Sequence, residues 1–264
     1  MNDFIQALKV QKRVITALLF REILAQYGAT KVGYLWAIVL PMSQTLVLAA
    51  VFWSVGRLGV FGSDFGSITI FIATGFLPLN IFTGLSKQIM QSNVANKALF
   101  GYPLVLPFDA MLARLILSSV TVLLSFIVTL LLLYQLNYWD PEIDSFLRIM
   151  GAIFICIILG FGMGLINSFL VMFFPSYPNV YSILTRPLMF ISGVFFLASE
   201  QLPPSILQVL YYNPLLHCTE WMRSAFYSNW ESKFIDYNYL IPFTTIILFL
   251  GLLTQRISQK NARE

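Results

Sequence analysis

Charge is scarce in this sequence: charged side chains make up 11% of its 264 residues, against about 25% in an ordinary soluble domain. There is one histidine, His217, which excludes a multi-histidine metal site within one chain. A serine nucleophile with base and orienting acid cannot be assembled around a single imidazole with any assurance. The two cysteines, Cys156 and Cys218, lack metal-ligand spacing. Read from the sequence, one sits mid-span and the other in an outer loop, too far apart in depth to bridge. No G-x-x-x-x-G-K-[ST] phosphate loop occurs, so the chain is not expected to hydrolyse ATP alone. Residues 1–31 are too charged to hold the apolar core of a cleavable signal peptide. Long repeats and low-complexity tracts are absent.

What fills the chain instead is apolar. Hydrophobic residues reach 58% and aromatic ones 16%, and the mean hydropathy is +0.78. Segments 32–56, 65–86, 115–139, 149–173 and 237–255 carry no charged side chain, and 179–199 is broken only by Arg186. Each suits the ~20 residues a helix needs to cross a bilayer. Lipid offers the backbone no hydrogen bonds, so helices are the expected form. The reading is an all-α polytopic membrane protein with six transmembrane helices in one domain, 1–264. Residues 1–31 form a cytoplasmic amphipathic helix, 32–256 the six-span domain and 257–264 a cytoplasmic tail.

The net charge of +4 is a topology signal rather than a sign of nucleic acid. With the N-terminus inside, Lys9, Lys12, Arg13, Arg21, Lys31, Lys87, Lys97, Arg114, Arg186, Arg256, Lys260 and Arg263 fall on the cytoplasmic side. Only Arg57, Arg148, Arg223 and Lys233 fall opposite. That asymmetry predicts both termini in the cytoplasm. In residues 4–19, Phe4, Leu8, Ile15, Leu18 and Leu19 share a face opposite Gln6, Lys9, Arg13 and Thr16, the pattern of a helix lying in the headgroup plane. Tyr34 and Trp36 open the first span as an interfacial anchor.

Three places depart from plain spanning helix. The connection 87–107 continues span two as a helix, breaks at Gly101 and Pro103, and enters span three with Asp109 placed to cap it. In span four, Gly160 and Gly164 permit close helix packing, and the turn 173–179 interrupts the helix twice with proline. The outer segment 200–236 carries two helix starts, Pro203/Pro204 and Asn213-Pro214. Its helices are too short to cross and apolar enough to dip into the outer leaflet. On the second, His217, Glu220 and Arg223 follow at i, i+3 and i+6; an acid–base pair is one reading and a local Glu220–Arg223 ion pair the simpler one. Arg186, with Pro187 beside it, stands about 12 Å beyond Pro178. Either it faces a cavity, where it would attract an anionic substrate, or its long stem carries the charge back to the cytoplasmic phosphates.

Three stretches resemble one family. LLFREILAQYGATKVGYLWAIVLP (18–41) resembles the entry into span one of type-2 ABC exporter permeases for polysaccharides. NVANKALFGYPLVLPFDAMLARLIL (93–117) resembles their cytoplasmic coupling segment, and NPLLHCTEWMRSAF (213–226) the periplasmic gate hairpin of the capsular branch, the KpsM-type permeases of group 2 capsule export. The resemblance implies a homodimer bound to two copies of a separate ATPase, which holds the ATP and Mg; no cofactor or metal is expected in this chain. It implies that the ATPase docks around Asn93, Asn96, Lys97, Leu99, Phe100 and Tyr102. Helices 203–212 and 214–227 would form the periplasmic gate between spans five and six, with Tyr211, Tyr212, His217, Glu220, Trp221 and Arg223. The implied substrate is a lipid-terminated polysaccharide, polyanionic in many capsules, moved across the bacterial inner membrane. A periplasm-spanning co-polymerase or adaptor and an outer-membrane export channel would take it onward.

The composition agrees with this in one respect: aromatic faces hold sugar C–H surfaces without committing to one orientation. Tyr34, Trp36, Trp53, Phe190, Phe195 and Phe196, with Arg186, are the candidates for the substrate path, a lipid-facing belt or helix packing being the plainer role of each ring. Three alternatives stand beside the capsule exporter: an O-antigen, teichoic acid or other type-2 permease, a membrane enzyme acting on lipid-linked sugars, and a membrane scaffold. The enzyme would need clustered acids or histidines, and the outer acids here are scattered.

Overall fold

A computed structural model describes residues 2–28, 33–56, 62–101, 105–139, 143–227 and 230–261. The side chains of Phe4 and Leu8, and all of Lys31, Arg57, Tyr102, Pro103 and Arg263, lie outside the described residues. Every regular element among the described residues is helical. α1 is Asn2–Tyr27, α2 Gly33–Val55, α3 Phe65–Met90, α4 Ser92–Ala95, α5 Pro107–Gln135 and α6 Phe146–Phe173; a 3₁₀ turn, Lys97–Gly101, lies between α4 and α5. α7 is Tyr177–Thr185, α8 Leu188–Ile191, α9 Ala198–Gln201, α10 Pro204–Leu210, α11 Pro214–Phe226 and α12 Tyr237–Asn261.

Among the described residues five helices, α2, α3, α5, α6 and α12, are long and apolar enough to cross a membrane. α3 is the central one, with α6, α5, α2 and α11 around it. The glycines of α6 set the closest packing. A Cβ on Gly160 would lie 3.1 Å from Phe82 Cα, and one on Gly164 2.8 Å from Ile89 Cβ, so α3 and α6 meet almost backbone to backbone. α3 starts at Asp64, whose carboxylate accepts from Ser67 N at 2.9 Å and Ser67 Oγ at 2.7 Å, a cap that replaces missing helical partners. Asp109 caps α5 as expected, accepting from Leu106 N at 3.3 Å. In α2, Pro41 removes a helical donor; Ser125 of α5 donates to the Ile38 carbonyl in that turn at 2.9 Å.

The segment 179–199 is not one continuous helix. The backbone stays helical from Tyr177 through Arg186 and Pro187 to Ile191, which is 15 residues, or about 22 Å against a ~30 Å hydrocarbon core. Ser192 then caps the helix and Gly193, at φ +74°, occupies the left-handed position that ends helices. Beyond it the chain is extended at Leu197. In the turn 173–179 only Pro175 interrupts. Pro178 sits in the first turn of α7, where proline has no hydrogen bond to lose.

The prolines at 204 and 214 do start two short helices. α11 is no surface loop, however. It runs antiparallel to α6: the Ala225 carbonyl accepts from Asp144 N and Ser145 N, Trp221 lies against Gly151, and Cys218 sits beside Cys156 in the core. Cys156 is about 15 Å along α6 from Phe146. The cysteines expected at different depths are therefore neighbours, both buried as free thiols, because α11 descends into the half of the bundle that α8 fails to fill.

Candidate functional site

At the end of the bundle that carries α1, the apolar stripe of α1 packs on α5. Leu18, Ala110 and Ala113 are buried there, with Val14, Ile15, Leu19, Leu99 and Phe100 around them. Gln6, Lys9, Arg13 and Thr16 are exposed on the opposite face. Glu22 falls on the apolar stripe, four residues after Leu18, and is 3% exposed. It pairs with Arg114 of α5 at 3.1 Å and accepts from Asn96 Nδ2 at 2.9 Å. Arg21 donates to the other side of the same Asn96 amide, and Gln11 donates to Asp109 at 3.1 Å. Burial pushes the Glu22 carboxyl up, but the bonds from Arg114 and Asn96 and the arginine's charge outweigh it and hold it below the usual range.

The expected coupling residues thus divide. Asn96 is buried as the centre of this network, Leu99 and Phe100 are half-buried in the α1–α5 seam, and Asn93 donates to Ser168 of α6 at 3.0 Å. Lys97 is exposed, and beside it Val94 is 67% exposed on a four-residue helix. Sequence reasoning did not single out Val94, although it lies inside the 93–102 docking stretch, and gave no partner to Glu22 or Arg114. A charge on the apolar stripe of an amphipathic helix was the available signal for Glu22. From this end a polar seam runs up α7, where Tyr177 donates to Asn167 at 2.9 Å and Tyr181 to Ser86 at 2.8 Å.

Arg186 is exposed on α7–α8 in line with Ile183 and Phe190, and makes no ion pair or hydrogen bond among the described residues. The aromatic candidates are only partly brought together. Phe195 stacks on Phe52 at 5.0 Å, with Phe76 at 6.3 Å and Phe190 at 5.9 Å, forming a ring cluster above Arg186. Trp53 is separate, edge-on to Phe65 at 5.9 Å, and Trp36 is exposed near the other end of α2. Tyr34 packs into the bundle, 5.3 Å from the Tyr27 ring, with its hydroxyl 3.3 Å from that of Thr121.

At the far end, the non-helical segment 194–197 after Gly193 leaves carbonyls that no helix ladder satisfies. Arg223 of α11, fully buried, supplies the donors: Nη1 to Phe196 O at 2.8 Å, and Nη2 to Val194 O at 2.8 Å and Phe71 O at 3.3 Å. Its guanidinium lies 3.7 Å from the Phe71 ring centre. The lack of a side chain at Gly75 admits this segment, since a Cβ there would be 2.9 Å from Val194 Cα. The expected Glu220–Arg223 ion pair does not form. Glu220 instead accepts from Ala198 N at 2.9 Å and Ser232 Oγ at 2.7 Å, because both ends of the broken segment need backbone partners more than the charges need each other. Burial pushes the Glu220 carboxyl above its usual range despite those bonds and the charge of Arg223.

His217 is also fully buried. Its Nδ1 accepts from Asp236 N at 3.2 Å, so the proton is on Nε2, which donates to Tyr211 O at 2.8 Å. Burial pushes this imidazole below its usual pKa. A histidine locked into backbone bonds on both nitrogens is a structural clasp, and no acid–base pair with Glu220 is built. Tyr211 donates to Asp236, and its ring meets those of Tyr212, His217 and Tyr239. Trp221 fills the notch at Gly151 and meets Tyr237 at 4.9 Å. No group of three or more potential metal ligands occurs among the described residues.

The family model for the ABC-2 type transporter matches residues 13–227. The chain is 32% identical over 252 residues to the polysialic acid transport protein KpsM of Escherichia coli, covering 96% of each chain. It is 28% identical over 251 residues to the capsule polysaccharide export inner-membrane protein CtrC of Neisseria meningitidis serogroup B, and 27% over 251 residues to BexB of Haemophilus influenzae, which carries the same description. Each of these alignments covers 95% of this chain and 93% of the relative.

Proposed function

The chain belongs to the ABC-2 type transporter family, and from that premise we propose that it is the permease subunit of an ATP-driven exporter of capsular polysaccharide in the bacterial inner membrane. The observation that carries the proposal is the near full-length alignment with three proteins named for capsule or polysialic acid transport. The family implies a partner ATPase. In this reading two copies of the chain assemble with two ATPase subunits, which bind ATP and Mg. Both termini face the cytoplasm, and the polymer leaves through an adaptor and an outer-membrane channel.

In this reading the ATPase docks on α4. Val94 and Lys97 are exposed, while their neighbours are tied inward: Asn96 to Glu22 and Arg21, Leu99 and Phe100 to the α1–α5 seam, Asn93 to α6. A push on α4 therefore moves α1, α5 and α6 together. Tyr177 and Tyr181 carry the motion to α7, and Asn213 donates to Ile191 O at 2.9 Å, joining the top of α8 to the far-end hairpin that serves as the gate. Discrete shifts of packed helices are the usual form of such switching. Arg186, exposed and unpaired at mid-path, attracts acidic sugars, and the Phe190–Phe195 cluster above it offers them ring faces.

The test uses surface residues, so that folding is not at stake. A Val94→Asp, Lys97→Asp protein should insert, keep the wild-type melting temperature and fail both to stimulate its ATPase and to deliver capsule to the cell surface. Normal surface capsule in that variant refutes the docking assignment.

A further inference from the structure

Beside the far-end hairpin lies an open cavity of about 950 Å³ between α10 and the segment that leads into α12. That is the upper end of the ~300–1,000 Å³ typical of ligand pockets. Its lining is mixed in a specific way. Tyr211, Tyr212 and Phe234 bring rings, Gln208 an amide, and Lys233 and Asp236 charges. Tyr211 is fixed by ring contacts with Tyr212 at 5.6 Å, Tyr239 at 5.3 Å and Phe234 at 6.3 Å, so the aromatic wall is formed before any ligand arrives.

The two charges are not equivalent. Asp236 is spent within the protein: it accepts from Tyr211 Oη, from Asn238 N at 2.8 Å and from Tyr239 N at 3.3 Å. Lys233 is exposed and has no ion pair among the described residues. A ligand therefore meets ring faces, an amide able to bond hydroxyls, and one uncommitted cation. Lipid tails use none of the polar groups, and a simple anion uses none of the rings. A ring-shaped, polyhydroxylated, carboxylated molecule uses all three.

We propose that this cavity binds acidic sugar units of the polymer at the exit of the path. The proposal rests on the capsule-export reading above. An emerging chain held on Tyr212 and Lys233 has a resting place outside the gate, which opposes its slipping back while the ATPase resets.

The test is binding to the full-length protein in phosphatidylcholine nanodiscs, read by saturation-transfer NMR with a sialic acid trimer and, as the uncharged probe, maltotriose. The trimer should bind with an affinity about tenfold above that of maltotriose. Lys233→Gln should remove that preference and leave maltotriose unchanged, and Tyr212→Ala should weaken both. Both side chains are exposed, and unchanged melting temperatures would verify intact folding. No binding of the trimer, or equal binding to wild type and both variants, overturns the assignment. Surface capsule in the host strain deleted for this chain and complemented with it reads the parent proposal separately. Restored capsule with no trimer binding sinks the site and leaves the exporter standing. Trimer binding with the expected variant pattern but no capsule does the reverse.

Discussion

Replacing Arg223 with methionine keeps most of the side-chain volume and removes every donor from the place where the broken segment docks. The carbonyls of Val194 and Phe196 each lose a 2.8 Å bond. Both belong to chain that has left the helix, so no ladder bond replaces what is lost. A buried carbonyl left alone costs about 1–3 kcal/mol, and the lost contact with the Phe71 ring up to about 2 kcal/mol. Against these stands relief from burying a guanidinium, itself several kcal/mol. Glu220 is bonded elsewhere, so no charge is stranded, and two orphaned carbonyls less that relief leave about 1–3 kcal/mol of destabilisation. For a chain of this size that is a fall of roughly 2–12 °C in melting temperature. A second readout follows the hairpin itself. Cys218 is buried, and in a Cys156→Ala background a membrane-permeant maleimide reaches it only when α11 lifts away. The same loss raises the labelling rate at least about fivefold, at tenfold per 1.4 kcal/mol. Arg223→Lys, which keeps the charge but loses the fork of donors, should fall between. Wild-type melting and unchanged labelling in Arg223→Met would refute the claim that this arginine holds the broken segment in place.

Four further outcomes follow. Arg114→Met leaves Glu22 charged and buried and should cost about 3–5 kcal/mol, whereas Glu22→Met with Arg114→Met should recover most of it; equal melting temperatures in single and double variants contradict the buried pair. His217 is held neutral below its usual pKa, so the unfolded hairpin takes up a proton that the packed one refuses. Its contribution is whole above about pH 6.5 and is lost as pH falls toward the folded-state value. Melting curves in acid should show that loss in wild type and not in His217→Gln. Arg186→Ala should reduce export of an acidic polymer more than Arg186→Lys at equal protein level; equal export in all three proteins leaves only the snorkelling role. Gly164→Ala places a Cβ 2.8 Å from that of Ile89 and should cost about 1–3 kcal/mol through overpacking, while Gly101→Ala, with nothing within 4 Å, should be silent by melting.

Five of the spans, the amphipathic α1 and the proline-started α10 and α11 were legible in the sequence because each rests on local chemistry: apolar length, helical periodicity, a missing N–H. The break at Gly193 was written there too, as a Ser-Gly pair inside an apolar run, but hydropathy averages over such a pair and joins the two sides. What the sequence could not convey was depth. Cys218 and Arg223 read as loop residues until α11 is seen filling the space above α8, and that space exists only because α7–α8 stops short. The Glu22–Arg114–Asn96 network was hidden for a similar reason, its three members coming from three separate elements. The expected Glu220–Arg223 pair failed because helical spacing counts only the partners on one helix, while the broken segment offered better ones.

The most direct test of the central claim is the location of the polymer when this chain is removed. In its host deleted for the chain alone, the account predicts that capsular polysaccharide is still synthesised, accumulates in the cytoplasm and disappears from the surface. Re-expression of the wild-type chain should return it to the surface. Surface capsule at the normal level in the deletion strain, or loss of polymer synthesis itself, would contradict the account.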